Sequence, residues 1–175
     1  LLLAASCLTI FLYAAIFGGG IFKTTNGGGS WSPIFTGLTT PLVQALAVNP
    51  LEPATLYAGT YGVAGVFKST DRGGNWKSVN GGLTAQQVRV LTVDPAKPGT
   101  LYAGRYGGVF KSTDGAESWV YPSAQLTYHD VFALIVDPSA PATVFACAFT
   151  TNSWGDEFDS FFRSTDGGTT WTETE

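Results

Sequence analysis

The sequence predicts an all-β protein, a β-propeller of four-stranded antiparallel blades, from two observations. A ten-residue phrase, "FKSTDRGGNW" from Phe67, returns as "FKSTDGAESW" from Phe110 and "FRSTDGGTTW" from Phe162, with a looser copy, "FKTTNGGGSW", from Phe22. Its tryptophans, Trp31, Trp76, Trp119 and Trp171, are spaced by 45, 43 and 52 residues, a period typical of propeller blades and other repeat arrays. The composition agrees: of 175 residues, 45% are hydrophobic and only 13% charged, and Gly, Ser and Thr are plentiful. That balance suits short strands joined by tight turns within one globular unit.

The copies agree beyond the phrase itself. "ALAVNPLEPATLYAGTYGVAGVFKSTD" from Ala45 matches "VLTVDPAKPGTLYAGRYGGVFKSTD" from Val90, and "ALIVDPSAPATVFACAFT" from Ala133 follows the same line. In the second copy, Val43 to Val48 is an apolar run closed by Asn49-Pro50, where proline removes a ladder donor, and it reads as strand A. Thr55 to Tyr61 reads as strand B, Gly65 to Thr70 as strand C and Trp76 to Val79 as strand D. The predicted blades span residues 1–35, 42–80, 87–122 and 130–175.

The N-terminus admits two readings. "LLLAASCLTIFLYAAIF" is seventeen residues without a charge, which fits the apolar core of a signal or membrane segment. The repeat register instead makes Leu1 to Ala4 a strand A and places Tyr13 with Tyr57, Tyr102 and Phe145, so residues 1–20 are expected to belong to a blade. With no methionine the chain does not open at a start codon, and it is expected to be a processed product or a fragment of a larger propeller.

In the phrase, Ser69 and Asp71 are suited to accept hydrogen bonds from backbone N–H groups of a turn, Gly73 to supply a positive φ, and Trp76 to cover the turn. The same roles fall to Ser112, Asp114 and Trp119, to Ser164, Asp166, Gly168 and Trp171, and to Thr24, Asn26, Gly28 and Trp31. Ala116 replaces the glycine in the third copy, so that turn is expected to adjust. The pattern Ser/Thr-x-Asp-x-Gly-x-x-Trp resembles the Asp-box, or BNR, repeat of sialidases, xyloglucan-degrading glycoside hydrolases, sortilin-type receptors and photosystem II assembly factors. The resemblance covers nearly the whole chain and implies a β-propeller, without implying one activity.

An A-B-C-D meander places the A–B and C–D turns on one rim and the B–C turns with the D-to-A crossings on the other. Asp71, Asp114, Glu117 and Asp166, with Glu52, Asp94 and Asp137 in or beside A–B turns, then belong to the first rim. A carboxylate that holds its own turn is poorly placed for proton transfer. The resemblance implies that ligand binds on the other rim, which keeps Asp130, Asp156, Glu157 and Asp159. The B–C loop "FTTNSWGDEFDS", Phe149 to Ser160, is much longer than its counterparts and joins Trp154 to acids, a combination able to stack on a sugar. Asp156 and Asp159 are also possible calcium ligands. Tyr128, His129, Asp130, Arg89 and Arg105 complete the ligand-binding candidates. His129 and Asp130 are adjacent on a strand and point oppositely, which disfavours a dyad and suits a polar channel lining.

The net charge of −4, with scattered basic residues, offers no basic stripe for nucleic acid. One histidine and two separated cysteines, Cys7 and Cys147, give no zinc spacing. The expected function is a non-catalytic binding or assembly module outside the cytoplasm, extracellular or periplasmic, taking a glycan or a protein, with possible self-association through blade edges and no membrane insertion. The alternative is a glycoside hydrolase, xyloglucanase-like or sialidase-like, with Asp130 and one acid of residues 156–159 as its carboxylates. For a sialidase the arginines are few and the Arg-Ile-Pro phrase is absent.

Overall fold

The computed structural model describes residues 2–7, 10–83, 87–121, 125–127, 129–151 and 157–174. Among them there is no helix, and the strands form four separate antiparallel sheets in chain order. The first holds β1 (Leu2–Cys7), β2 (Ile10–Ile16), β3 (Gly20–Thr24) and β4 (Ser32–Pro33). In the second are β5 (Val43–Val48), β6 (Leu56–Thr60), β7 (Val66–Ser69) and β8 (Lys77–Ser78). β9 (Val90–Val93), β10 (Leu101–Arg105) and β11 (Gly108–Ser112) make the third, and β12 (Asp130–Val136), β13 (Val144–Thr151), β14 (Glu157–Ser164) and β15 (Thr172–Thr174) the fourth.

Three features depart from the sequence reading. Strand A of the first sheet continues to Cys7 instead of stopping at Ala4, and Ala4 pairs with Tyr13. The other sheets end strand A at Asn49-Pro50, Asp94-Pro95 and Asp137-Pro138, whereas the first has no proline to end the ladder there. The fourth strand of the third sheet shrinks to a single bridge between Lys111 and Val120, just before Pro122, which has no N–H to donate. The long fourth B–C loop is mostly strand: Phe149 pairs with Asp159, Thr150 with Phe158 and Thr151 with Glu157. The other copies turn at Gly62 and Gly107, while here β-formers carry the ladder onward.

The box turns follow the predicted chemistry. Ser69 Oγ donates to Asp71 Oδ1 at 2.8 Å and accepts from the Gly73 N–H at 2.9 Å, while Asp71 Oδ1 accepts from the Asn75 N–H at 2.8 Å. Ser112 with Asp114, and Ser164 with Asp166, repeat this arrangement, and Thr24 with Asn26 reproduces it using an amide. The last three turns are also bonded to the A–B turns of their own sheets: Arg72 N to Ala54 O and Gly115 N to Gly99 O at 2.9 Å, and Gly167 N to Ala142 O at 2.8 Å. In the second, third and fourth sheets the A–B turns are Asx turns, in which Asn49, Asp94 and Asp137 each accept two backbone N–H bonds. Both turn types therefore share one rim.

The core lies between the sheets. Tyr13, Ile21, Val43, Leu56, Phe67 and Trp76 fill the first seam; Tyr57, Val66, Leu83, Val88, Phe110 and Trp119 the second; Tyr102, Val109, Leu126, Val131, Phe162 and Trp171 the third. Burying each large ring is worth about 2–3 kcal/mol. Trp76 and Trp119 also donate their indole N–H across the seam, to Ile34 O at 2.8 Å and Val79 O at 2.9 Å. Trp171 donates instead to Gly168 O within its own turn. Trp31, at the outer face of the first sheet, is 38% exposed and covers no seam.

Ala116 does not relax its turn. It keeps φ at 73°, matching 84° at Gly73, and is fully buried. The adjustment is in the neighbour: a Cβ on Gly73 would lie 2.3 Å from Ile34 Cδ1, whereas the corresponding residue beside Ala116 is the shorter Val79, in the same core cluster. Gly73→Ala should therefore destabilise the chain by about 1–3 kcal/mol, and Ile34→Val should recover part of that loss. Urea denaturation of the two single variants and the double variant checks this; strict additivity would contradict the account.

Candidate functional site at the B–C rim

Opposite the boxes, the strand A entries of successive sheets come together. β-bulges interrupt pairing between Val43 and Ala45 and between Val131 and Ala133, which leaves Gln44 and Phe132 as extra residues. Bulges of this kind re-aim side chains at rims. Arg89 holds the corresponding place before β9, its N–H bonded to Gly104 O at 2.9 Å.

From that place Arg89 Nη1 reaches Asp130 Oδ2 of the next sheet at 3.1 Å, both side chains being partly buried. The backbone beneath them is stitched, with Tyr106 bridged to Asp130 and the Gly107 N–H bonded to His129 O at 2.9 Å. Arg105 lies alongside on β10, its guanidinium 4.9 Å from the centroid of the Phe110 ring, and burial pulls its pKa below the usual arginine value. His129 turns the other way from Asp130: its ring meets Phe162 edge-on at 4.8 Å. Burial lowers the His129 pKa, against an opposing pull from Glu173, which favours the neutral imidazole.

The remaining candidates are spread across the fourth sheet. Asp130, Phe149 and Asp159 form one cross-strand row, which sets the two acidic Cα atoms about 10 Å apart. Glu157 is placed by its backbone in β14. Tyr128, Trp154 and Asp156 lie outside the described residues. Among the described residues no group of three or more His, Cys, Asp or Glu side chains is arranged to hold a metal, and no helix is long and apolar enough to cross a membrane. Cys147 is a free thiol.

Two features of this rim escaped the sequence reading. Phe132 and Phe149 stack at 4.5 Å. The crossings carry a second repeated phrase, Gly37-Leu38-Thr39, Gly82-Leu83-Thr84 and Gln125-Leu126-Thr127, whose leucines are spaced by 45 and 43 residues like the tryptophans. That spacing was available in the sequence. Its role is seam packing, with Leu83 and Leu126 buried.

Comparison with solved structures places this architecture. An ancestral GH74 enzyme superposes with a TM-score of 0.73 at 17% identity, over 99% of this chain and 25% of that one. YCF48 bound to D1 peptide gives 0.65 at 17% identity, over 93% of this chain and 49% of that one. The fold is that of a β-propeller. An auxiliary nutrient binding protein from Bacteroides thetaiotaomicron gives 0.63 at 11% identity, over 91% of this chain and 40% of that one. The chain thus spans between a quarter and a half of the length of these propeller proteins. No family model matches it, and no curated protein does.

The box carboxylates have a distinct electrostatic state. Hydrogen bonds from Asn75, Ser118 and Thr170 respectively, followed by those from the box serines, hold Asp71, Asp114 and Asp166 at about 2. Groups so acidic are ionised and weakly basic at neutral pH, the opposite of a tuned general acid. Because the folded pKa lies below the ordinary value near 4, their stabilising contribution is present above about pH 4 and lost as pH falls through about 2. Thermal melts should therefore decline across that window. Replacing all three by Asn, as Asn26 already stands in the first box, should flatten the decline, leaving the part due to Asp137, whose pKa is also lowered by its turn. An unchanged slope would contradict the assignment.

Proposed function

We propose that the chain is four blades of a larger Asp-box propeller that works as a binding or assembly module outside the cytoplasm, taking a glycan or a protein on its B–C rim. One observation carries this reading. Among the described residues, Gln44 Oε1, Arg89 Nε, Arg105 Nε and His129 Nδ1 are buried without a hydrogen-bond partner and lie at that rim, against Tyr13 Oη on the box side. Buried polar groups in native proteins are nearly always satisfied, so spare capacity gathered at one place suits a surface that receives a ligand. The box serines and aspartates, by contrast, use their capacity within their own turns. The YCF48 structure with a bound peptide and the nutrient binding protein are consistent with ligand binding on this fold.

A second reading has its own support. The row Asp130–Phe149–Asp159 presents two carboxylates at a separation that side-chain conformation can bring near the range used for glycoside hydrolysis. In it Asp130, held by Arg89, and Asp159 would be the paired acids, and the similarity to a GH74 enzyme is consistent with it.

Screening the purified chain against glycan and peptide arrays separates the two. The binding reading expects saturable binding without turnover, weakened about tenfold or more by Arg105→Gln, which removes a charge-assisted donor. Hydrolysis abolished by Asp130→Asn would replace it with the enzyme.

A further inference from the structure

One position is aromatic in all four repeats: Phe17, Tyr61, Tyr106 and Phe149 each lie four residues after Tyr13, Tyr57, Tyr102 and Phe145, just past the strand B end in the first three sheets and within β13 in the fourth. Folding does not require this. The four rings are 58%, 45%, 63% and 36% exposed; in the first three repeats the tyrosine four residues earlier is at 2% or less, whereas in the fourth Phe145 is itself 41% exposed, so the contrast rests on Phe17, Tyr61 and Tyr106. Scattered exposed apolar residues need no explanation, but the same exposed ring at the same place in every repeat does.

Three of the rings stand on paired backbone. The Tyr61 N–H is bonded to Leu42 O at 2.8 Å, Tyr106 is bridged to Asp130, and Phe149 is paired on both sides. Phe17 and Tyr61, from neighbouring blades, touch edge to face at 5.8 Å, so the row is continuous at least there. Phe132 extends it beneath Phe149.

Resting on the reading of the B–C rim as the binding face, we propose that these four rings form a stacking platform for a neutral, linear polysaccharide, one ring per blade. Charge and topology favour this occupant. Beside the row Arg89 is paired with Asp130, and Arg105 and Asp159 add one charge of each sign, so the formal charges of these four side chains sum to zero and favour no charged ligand. Strand B is interior in every sheet, paired to A and C, and offers no free edge for a polypeptide to extend. A ligand must then be held by its faces and hydroxyls. Pyranose rings present flat C–H faces to the aromatic π-systems, and their hydroxyls match the spare groups of Gln44 and Arg105.

The test is calorimetric titration of the chain with hydroxyethylcellulose, mixed-linkage β-glucan and galactomannan, then with cello-oligosaccharides of increasing length. Affinity should rise with oligosaccharide length. Tyr61→Ala and Tyr106→Ala should each lower it by about two- to tenfold, with Tyr61→Phe and Tyr106→Phe close to the parent. Leu51→Ala, at an exposed site on the box rim, should change nothing, and unchanged thermal melts confirm folding of each variant. Absence of glycan binding, together with peptide binding that is sensitive to Arg105→Gln, overturns the polysaccharide platform and leaves the binding rim standing. Glycan binding weakened by Leu51→Ala and indifferent to the rings overturns both.

Discussion

The constraint on which the structure depends is the close approach of one blade's tryptophan backbone to the chain leaving the blade before it. The Trp76 N–H is bonded to Thr36 O at 2.8 Å and the Trp119 N–H to Gly81 O at 2.7 Å. A Cβ on Gly37 or Gly82 would fall 2.2 Å from the carbonyl oxygen of Trp76 or Trp119, so only glycine permits the contact. The indole then reaches back over the same crossing, with Gly73 or Ala116 packed beside it. Strand D needs only two residues in the first two sheets because this crossing supplies much of its anchorage. Strand B repeats the device. A Cβ on Gly59 would meet Val88 Cγ1 at 2.6 Å, and one on Gly104 would meet Val131 Cγ1 at 2.8 Å, so the next blade's strand A sits directly against it.

This arrangement divides the molecule by rim. On the box side, side-chain hydrogen-bonding capacity is consumed by turns: serine, aspartate and asparagine satisfy backbone donors, and the aspartates stay ionised. Lys68 with Glu117, and Lys111 with Gly167 O, extend that consumption across seams. On the B–C side the strands simply end, and what they carry there is not needed to close a turn. The ion pair, the buried spare donors and the exposed rings all gather at that side, supported by a scaffold that holds them without using them.

Much of the fold was legible because the repeat prints its own register. Four copies of one phrase marked the C–D turns, and Asn/Asp-Pro marked three of the four strand A ends; where that signal was missing, at residues 5–7, the strand was read too short. The third copy's fourth strand, a single bridge among the described residues, is not announced by the sequence because Trp119 preserves the phrase. The ladder in the long loop of the fourth copy is hidden because only one side advertises it: Phe149 to Thr151 are strand formers, while Glu157, Asp159 and Ser160 opposite them are not. In the candidate site, the placement of Arg89, Arg105 and Asp130 at the B–C rim follows from sorting residues between rims. Their pairing does not, since it depends on how two neighbouring strands converge, which no single repeat encodes. The row of rings is legible in the repeat alignment, as an aromatic at a fixed offset from Tyr13, Tyr57, Tyr102 and Phe145.

The central claim is that the box tryptophans are joints between blades. Hydrogen exchange of the indole N–H protons, resolved individually by NMR, tests it most directly. The seam bonds predict strong protection of Trp76 and Trp119, comparable to strand amides in β6 and β10, with the half-exposed Trp31 exchanging fast. Equal, rapid exchange at Trp31, Trp76 and Trp119 would show that the boxes close only their own turns and that the blades are held together by something else.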